Sequence, residues 1–248
     1  MAICWETAAG TDIGRVRQGN EDTYHVDPER GLLLVADGMG GHAAGEVASA
    51  LAAKCTVDAL TKLWDEGAED DTIYSALEQS FFTAQHRIIT CCSDDPRTRG
   101  MGTTLTAMHL GRAGGWSLGH IGDSRAYRLR DASLTQLTRD HTWVQREVDE
   151  GRLPARAAAT HHRSHILTRV LSDDGDASPD MSRGTALPGD VVLLATDGLH
   201  GLLDDAEIAE ILMWEASLEE RVHGLISAVN ARGGTDNITA VLARIREA

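Results

Sequence analysis

Four aspartates of the chain stand where an apolar run meets small residues, and carboxylates placed in this way could hold a cation. Taken singly, each is more simply explained as part of a turn, because Asp and Gly are common in turns. Four of them, together with the stretch Asn20-Glu21-Asp22, indicate a shared role. They are Asp37 after 33–36, Asp123 after 118–122, Asp197 after 193–196 and Asp236 just before 238–245.

Carboxylates gathered at one edge of a sheet would repel each other, which raises their pKa values and destabilises the fold. Divalent cations remove this repulsion, and ligands that are all oxygen favour magnesium or manganese over zinc. Two such ions, bridged by a shared carboxylate and a water, supply a nucleophile at neutral pH and stabilise charge on a transferring phosphoryl group. The pattern therefore favours a two-metal site.

Strands and helices must carry these carboxylates, and the apolar periodicity predicts where they lie. Short Gly/Asp turns between the strands are typical of antiparallel sheets, so we expect an α+β domain with helices packed outside sheets. The segment 140–190 is irregular, rich in Arg, His and Ala, and is interpreted as a surface insertion. Strands are predicted at 31–36, 103–110, 116–121, 126–129, 191–195 and 238–245, and helices at 43–64, 72–91, 142–150, 206–214 and 218–231.

Composition narrows the function classes. The 248 residues carry a formal net charge of −15, which opposes nucleic-acid binding because that requires a basic surface. Neither a secretory signal nor an apolar run long enough to cross a membrane is present in the sequence. The 4 cysteines have no spacing typical of disulfides or zinc sites. We therefore expect a cytoplasmic protein with reduced thiols and no membrane or nucleic-acid partner.

Ordered motifs across nearly the whole chain resemble the metal-dependent protein phosphatases (protein phosphatase 2C) in their bacterial form. A single Asp-Gly-Met-Gly-Gly-His would be moderate evidence, whereas the ordered series is strong. The motifs are Thr11 to Asp22, Val35 to His42, Gly45 to Ser49, Gly102 to Thr104, Gly122 to Tyr127, Leu137 to His141, Leu167 to Arg169, Ala195 to Leu199 and Thr235 to Thr239.

The resemblance implies one catalytic domain over 1–248, with 140–190 as a flap beside the active site. The implied fold is a four-layer α-β-β-α sandwich with two mainly antiparallel sheets and a dimetal centre of Mn²⁺ or Mg²⁺ at one edge. Asp37 would bridge the two ions, and the Gly38 carbonyl would bind one of them. Asp197 and Asp236 would hold the other ion, while Glu21 would act on the second, partly through water.

Further roles follow from the same resemblance. Asp123, with Asp197, resembles the ligands of a third, weaker metal, and Asp22 and Asn237 resemble residues that orient ligands and waters. Arg17 resembles a phosphate-binding arginine, since a guanidinium grips two phosphate oxygens at once.

His42 is a candidate general acid for the leaving oxygen, although it aligns with the histidine of eukaryotic relatives only across an insertion. A packed histidine at a helix start is the alternative. His161, His162 and His165 are interpreted as surface histidines, because the other ligands of a zinc site are not evident. Ser124 lacks the motif of a nucleophilic serine.

The sequence thus predicts a monomeric enzyme that hydrolyses phosphoserine and phosphothreonine on proteins and reverses a cytoplasmic Ser/Thr kinase. Two alternatives stay open. One is a regulatory module that docks phosphoproteins with little turnover, and the other is a phosphatase of a small phosphomonoester such as a nucleotide. The substitution of His200 and Gly201 for a small polar residue and an acid affects loop detail rather than the metal ligands.

Overall fold

Two stacked β-sheets form the centre of the molecule, and helices cover their outer faces. The computed structural model describes residues 2–40, 44–158 and 161–248. Its strands are β1 (Ile3–Asp12), β2 (Asp22–Asp27), β3 (Leu32–Met39), β4 (Gly102–Thr103), β5 (Leu105–Leu110), β6 (Gly115–Ile121), β7 (Arg125–Arg130), β8 (Ser133–Gln136), β9 (Leu171–Ser172), β10 (Asp180–Thr185), β11 (Val191–Ala195) and β12 (Ile238–Glu247).

The helices complete the four layers. They are α1 (Ala44–Asp65), α2 (Asp70–Asp94), α3 (Trp143–Asp149), α4 (Ala155–Ala158), α5 (Asp197–His200), α6 (Asp205–Leu212) and α7 (Leu218–Ala231). Within the described ranges, none of them combines the length and the apolar composition that a bilayer crossing requires.

Both sheets are antiparallel. One has the order β1-β12-β11-β7-β8, and the other has the order β10-β6-β5-β3-β4-β9, with β2 paired to β3. The predicted α-β-β-α sandwich is therefore confirmed.

The central strands are buried on both faces, which explains their uninterrupted apolar runs. Side chains alternate across a strand. In β3, Leu33 and Val35 pack between the two sheets, while Leu32 and Leu34 pack under α1 and α2. In β11, alternate residues pack between the sheets and under α7 in the same way. These buried strands fix the positions at which the acidic residues emerge.

The strand ends meet at one edge of the sandwich. Asp37 lies in β3 opposite Asp22, and Ala195 at the end of β11 pairs with Arg125 at the start of β7. Asp197 therefore comes close to the turn that precedes β7.

Strands with weaker apolar patterns were not predicted. In β1 only Ile3 and Ala8 are buried, and the strand contains Gly10, yet it pairs with β12 over its full length from Ile3 to Asp12. β10 pairs with β6 from Asp180 opposite His120 to Thr185 opposite Gly115. The predicted insertion over 140–190 therefore extends too far towards the C-terminus, because β10 belongs to a sheet. Tertiary pairing, rather than local pattern, decides both elements.

One glycine in β6 tests the packing of the outer layer. A Cβ at Gly119 would lie 2.7 Å from Cε2 of the fully buried Phe81. We expect Gly119→Ala to lower the free energy of unfolding by about 1–3 kcal/mol, because an overpacked core must shift. Urea denaturation measures this value.

The matched control lies on the same strand. A Cβ at Gly115 would have Asp70 Oδ2 as its nearest neighbour, at 3.8 Å. Gly115→Ala should change the free energy of unfolding by less than about 0.5 kcal/mol. Equal losses in the two variants would contradict the packing described for α2 on β6.

Candidate active site

The acidic residues predicted from the sequence line one cavity of about 430 Å³ at the edge where the strands end. Arg17, Glu21, Asp37, Gly38, Asp123, Asp197 and Asp236 all contribute to it, and so do Met39, Gly40, Thr104, His165 and Leu167. Asp22 and Asn237 are absent from this lining and lie behind it. His42 lies outside the described residues.

Thr103 and Thr104 fix the backbone of Asp37. The Asp37 N–H donates to Thr104 Oγ1 at 2.9 Å, and the Asp37 carbonyl accepts from the Thr104 N–H at 2.9 Å. The Thr103 hydroxyl donates to the same carbonyl at 2.9 Å. The backbone is thus satisfied by neighbours, which leaves the Asp37 carboxylate facing the cavity.

A tight turn carries Asp123 to the same point. Gly122 has φ +105°, and a Cβ there would lie 2.5 Å from Thr104 Cβ, so only glycine fits. The Ser124 hydroxyl lies 2.8 Å from Thr104 Oγ1 and is fully buried. Ser124 therefore joins the Asp123 turn to the Asp37 strand, and its burial argues against a role as nucleophile.

Close backbone contacts place Asp197 and Asp236 side by side. A Cβ at Gly198 would lie only 1.9 Å from the Asn237 carbonyl oxygen, so the start of α5 can approach β12 only with glycine there. Asn237 Oδ1 accepts from the Glu21 N–H at 2.9 Å, and its Nδ2 donates to the Gly19 carbonyl at 3.0 Å. Asn237 thus ties the Glu21 loop to the acidic site.

Asp22 lies under the site on two hydroxyls. Its Oδ2 accepts from Thr196 at 2.8 Å and from Thr239 at 2.6 Å. Burial raises the pKa of Asp22 to about 7, an effect that the hydroxyls oppose and the charges of Asp197 and Asp236 reinforce. This carboxylate connects the backbones that carry the cavity acids.

The cavity acids strongly perturb one another. Burial is the main cause that raises the pKa of Asp37 well above its usual range, and the charges of Asp197, Asp22 and Asp123 add to it. A hydrogen bond from the Asp37 carboxyl to Asp197 raises the pKa of Asp37 further. The pKa of Asp123 is also raised, by burial and then by Asp197. Uncompensated negative charge is thus concentrated here.

The donor set fits hard divalent cations. The predicted ligands offer only oxygen atoms, and Asp197 Oδ1 is buried with no hydrogen-bond partner among the described residues, as a ligand atom would be. Within 2–40, 44–158 and 161–248, however, no three His, Cys, Asp or Glu side chains are grouped as a complete ligand set.

Arg17 lies at the mouth of the cavity. Its Nη2 donates to Asp236 Oδ2 at 2.6 Å, and its side chain remains 48% exposed. The hydrogen bond to Asp236 raises the pKa of Arg17, as do the charges of Asp37 and Glu21. A cation at the rim of an acidic cavity is well placed to meet an incoming anion.

The histidines of the 140–190 segment do not behave as one group. His162 and His165 are exposed, but His165 lines the acidic cavity, whereas His161 is partly buried and stacks on Trp143 with ring centroids 5.2 Å apart. His165 also lines an adjoining cavity of about 370 Å³, which His200 shares. No periodic pattern or motif in the sequence distinguishes His165 from its neighbours.

The sequence is similar to that of known phosphatases over nearly its whole length. A family model described as protein phosphatase 2C matches residues 9–243. The chain is 40% identical over 238 residues to the serine/threonine protein phosphatase PstP of Mycobacterium tuberculosis, a match that covers 96% of this chain and 44% of PstP. It therefore spans less than half of the length of that relative. The serine/threonine phosphatase stp of Listeria innocua is 34% identical, with 94% of this chain and 92% of that protein covered.

Solved structures agree with these sequence matches. The crystal structure of the M. tuberculosis phosphatase PstP/Ppp has a TM-score of 0.88 and 39% identity, and covers 98% of this chain and 99% of that chain. The catalytic domain of PstP in complex with two manganese ions has a TM-score of 0.87 and 38% identity, and covers 99% of this chain and 100% of that chain.

The crowding of buried carboxylates in the cavity predicts that Asp37 destabilises the folded protein. Because its pKa is raised on folding, Asp37 lowers the free energy of unfolding as pH rises above the unfolded value of 3.8. At pH 8 with a chelator, we expect Asp37→Asn to raise the free energy of unfolding by at least ~1.4 kcal/mol, the equivalent of one pKa unit.

Asp140 provides the opposite control. It lies 2.7 Å from Arg125 in a largely buried ion pair, which lowers the pKa of Asp140 although burial opposes the shift. Asp140→Asn should lower the free energy of unfolding by about 3 kcal/mol, because the buried guanidinium loses its counter-charge. Chemical denaturation compares the two variants, and destabilisation by Asp37→Asn would contradict the crowding described here.

Proposed function

The chain belongs to the protein phosphatase 2C family, and from this premise we propose that it hydrolyses phosphoserine and phosphothreonine on proteins. The observation that carries the proposal is the convergence of Asp37, Asp197 and Asp236 on one cavity, with Arg17 at its mouth. Relatives of comparable length, such as the Listeria innocua protein, are named serine/threonine phosphatases.

We assign the cavity to two core ions of Mn²⁺ or Mg²⁺. Asp37 would bind both ions, the Gly38 carbonyl and Glu21 would serve one of them, with Glu21 acting partly through water, and Asp197 and Asp236 would hold the other. Support comes from the oxygen donors that these five residues offer and from Asp197 Oδ1, which has no hydrogen-bond partner within the described part of the chain. The PstP domain, similar over 99% of this chain, is a complex with two manganese ions.

We assign three further positions around this core. Asp123, together with Asp197, is the candidate for a third and weaker ion. Asp22 and Asn237 orient the ligand-bearing backbones, a role supported by their bonds to Thr196, Thr239 and Glu21.

Two divalent cations, when bound, supply a water nucleophile at neutral pH and neutralise charge on the phosphoryl group. The protein contributes the remaining parts. Arg17 binds the phosphate oxygens and positions phosphorus for in-line attack, because a guanidinium donates two parallel hydrogen bonds. Gly38 lines the cavity with its backbone, and its missing side chain lets the Gly45 backbone approach, since a Cβ at Gly38 would lie 2.1 Å from the Gly45 carbonyl oxygen. His42 remains our candidate to protonate the leaving seryl or threonyl oxygen.

The proposed substrates are phosphorylated proteins, and the proposed partner is a Ser/Thr kinase whose products this enzyme reverses. We further propose a monomer in the cytoplasm, formed by one catalytic domain with a flap between α3 and β10. All 4 cysteines lie in the described residues as free thiols, in keeping with a reducing compartment.

Metal-dependent turnover separates this proposal from a docking module. We expect hydrolysis of para-nitrophenyl phosphate and of a phosphothreonine peptide with Mn²⁺ or Mg²⁺, loss of activity with a chelator, and recovery on adding either ion back. Phosphate release measures the rates. Full activity in chelator, or recovery with Zn²⁺ alone, would exclude the two-metal proposal.

The same assay tests the remaining alternatives. A docking module would bind the peptide without releasing phosphate. A phosphatase of small phosphomonoesters would hydrolyse nucleotides in preference to the phosphothreonine peptide when the two compete.

Arg17 should act on substrate rather than on stability. In Arg17→Ala, the loss of the charge-assisted contact to phosphate should cost about 1.5–3 kcal/mol of transition-state stabilisation. The kcat/KM for the phosphothreonine peptide should therefore fall roughly 10–150-fold. Mn²⁺ should still bind, since Arg17 only competes for Asp236.

Arg15 is the matched control, a nearby arginine that is outside the cavity lining. Arg15→Ala should leave kcat/KM within about twofold, as expected for a surface substitution. An unchanged kcat/KM in Arg17→Ala, or equal losses in both variants, would show that Arg17 is only a surface charge.

A further inference from the structure

His141 lies buried beside the turn that carries Asp123, and it engages both polar groups of the Gly122 backbone. The His141 N–H donates to the Gly122 carbonyl at 2.7 Å. The Gly122 N–H donates to His141 Nδ1 at 3.1 Å. One residue therefore holds both sides of the glycine that immediately precedes Asp123, so rotation at this glycine would break one or both bonds.

The contact with Gly122 also sets the imidazole tautomer. A backbone N–H can only donate, so Nδ1 must accept and the ring proton belongs on Nε2. Nε2 lies 3.1 Å from Asp180 Oδ2, which accepts that proton. Arg169 Nη1 lies 2.8 Å from Asp180 Oδ1, and Arg169 Nη2 also contacts Nε2. Because a guanidinium can only donate, Arg169 favours an unprotonated Nε2, and Asp180 is the neighbour that favours the protonated one. Asp180 thus supports the ring in the orientation that Gly122 requires.

His141 also joins the Asp123 turn to residues 167–169 of the 140–190 segment. The His141 carbonyl accepts from the Thr168 N–H at 2.8 Å, and Thr142 pairs with Leu167 as an isolated bridge. Arg169, next in the chain, reaches Asp180 on β10. Movement of this segment would therefore be transmitted to the Asp123 turn through His141.

We propose that His141 is a positioning residue that aims the Asp123 carboxylate into the acidic cavity and couples it to residues 167–169. It acts through the Gly122 backbone and touches neither substrate nor cation. Its catalytic meaning rests on the proposed function, whereas the hydrogen bond itself can be tested independently of any reaction.

Two substitutions test the two imidazole nitrogens of His141 separately. His141→Asn places an oxygen acceptor at the position of Nδ1 and can still receive the Gly122 N–H. His141→Gln reaches towards the position of Nε2 and Asp180 but leaves the Gly122 N–H without its acceptor. Both remove the ring, so a difference between them reports the bond to Gly122 rather than packing.

The first readout is hydrogen exchange of the Gly122 amide by NMR, in chelator and without substrate. We expect exchange at least about tenfold faster in His141→Gln and within about threefold of the parent in His141→Asn. Equal protection in the two variants would overturn the proposal. Because no turnover is involved, this result stands even if the chain hydrolyses no phosphoester.

The second readout is calorimetric titration with Mn²⁺ alone, with the Asp123 step identified as the one missing in Asp123→Ala. His141→Gln should weaken that step by about 10–100-fold, the usual effect of losing a residue that orients a ligand. His141→Asn should recover most of the loss. Equal affinities in His141→Gln and the parent would contradict positioning.

Asp180→Ala covers the case in which His141→Gln does not fold. Asp180 is 48% exposed, so its removal should leave the fold intact. Without this acceptor the Nε2 proton is no longer favoured, and Gly122 exchange should rise about threefold. Unchanged exchange in Asp180→Ala would overturn the role given to the His141–Asp180 contact.

Discussion

The mutual repulsion of carboxylates at one edge of the sandwich is the constraint on which the rest of the structure depends. Burial raises the pKa of Asp37, Asp123 and Asp197, and the charge of a neighbouring carboxylate raises each pKa further. Asp197 has this effect on Asp37 and on Asp123, and Asp236 has it on Asp197. Among the described residues, Asp236 is the one cavity acid that forms an ion pair with an arginine or lysine, and its partner is Arg17. The fold holds the backbones and leaves the carboxylates facing the cavity, an arrangement that suits cations.

Hydroxyl groups and close backbone contacts at glycines hold these backbones in place. Thr104 bonds to the Asp37 N–H and to Ser124, while Thr196 and Thr239 share Asp22. Strands buried on both faces anchor these groups, so the apolar layers offset the free energy that the acidic edge costs. Stability and chemistry thus occupy different parts of the same strands, with the core along their length and the acids at their ends.

The sequence predicted those features of the fold and the site that depend on the local pattern of residues. The uninterrupted apolar run of β3 and the Asp-Gly that follows it identified both a buried strand and its acidic end. β1 and β10 were not predicted, because pairing with β12 and β6, rather than their own apolar pattern, makes them strands. His141 stood in a recognised motif without a role, since its contacts to Gly122 and Asp180 join positions 19 and 39 residues apart. Such roles emerge only from the three-dimensional fold.

Anomalous scattering from manganese in crystals of the protein tests the central claim most directly. We expect two strong peaks in the cavity, both next to Asp37, with Asp197 and Asp236 beside one and the Gly38 carbonyl beside the other. Any third peak should lie beside Asp123 and be weaker. Crystals of active protein that show no manganese at Asp37, or a single ion held without it, would contradict the account.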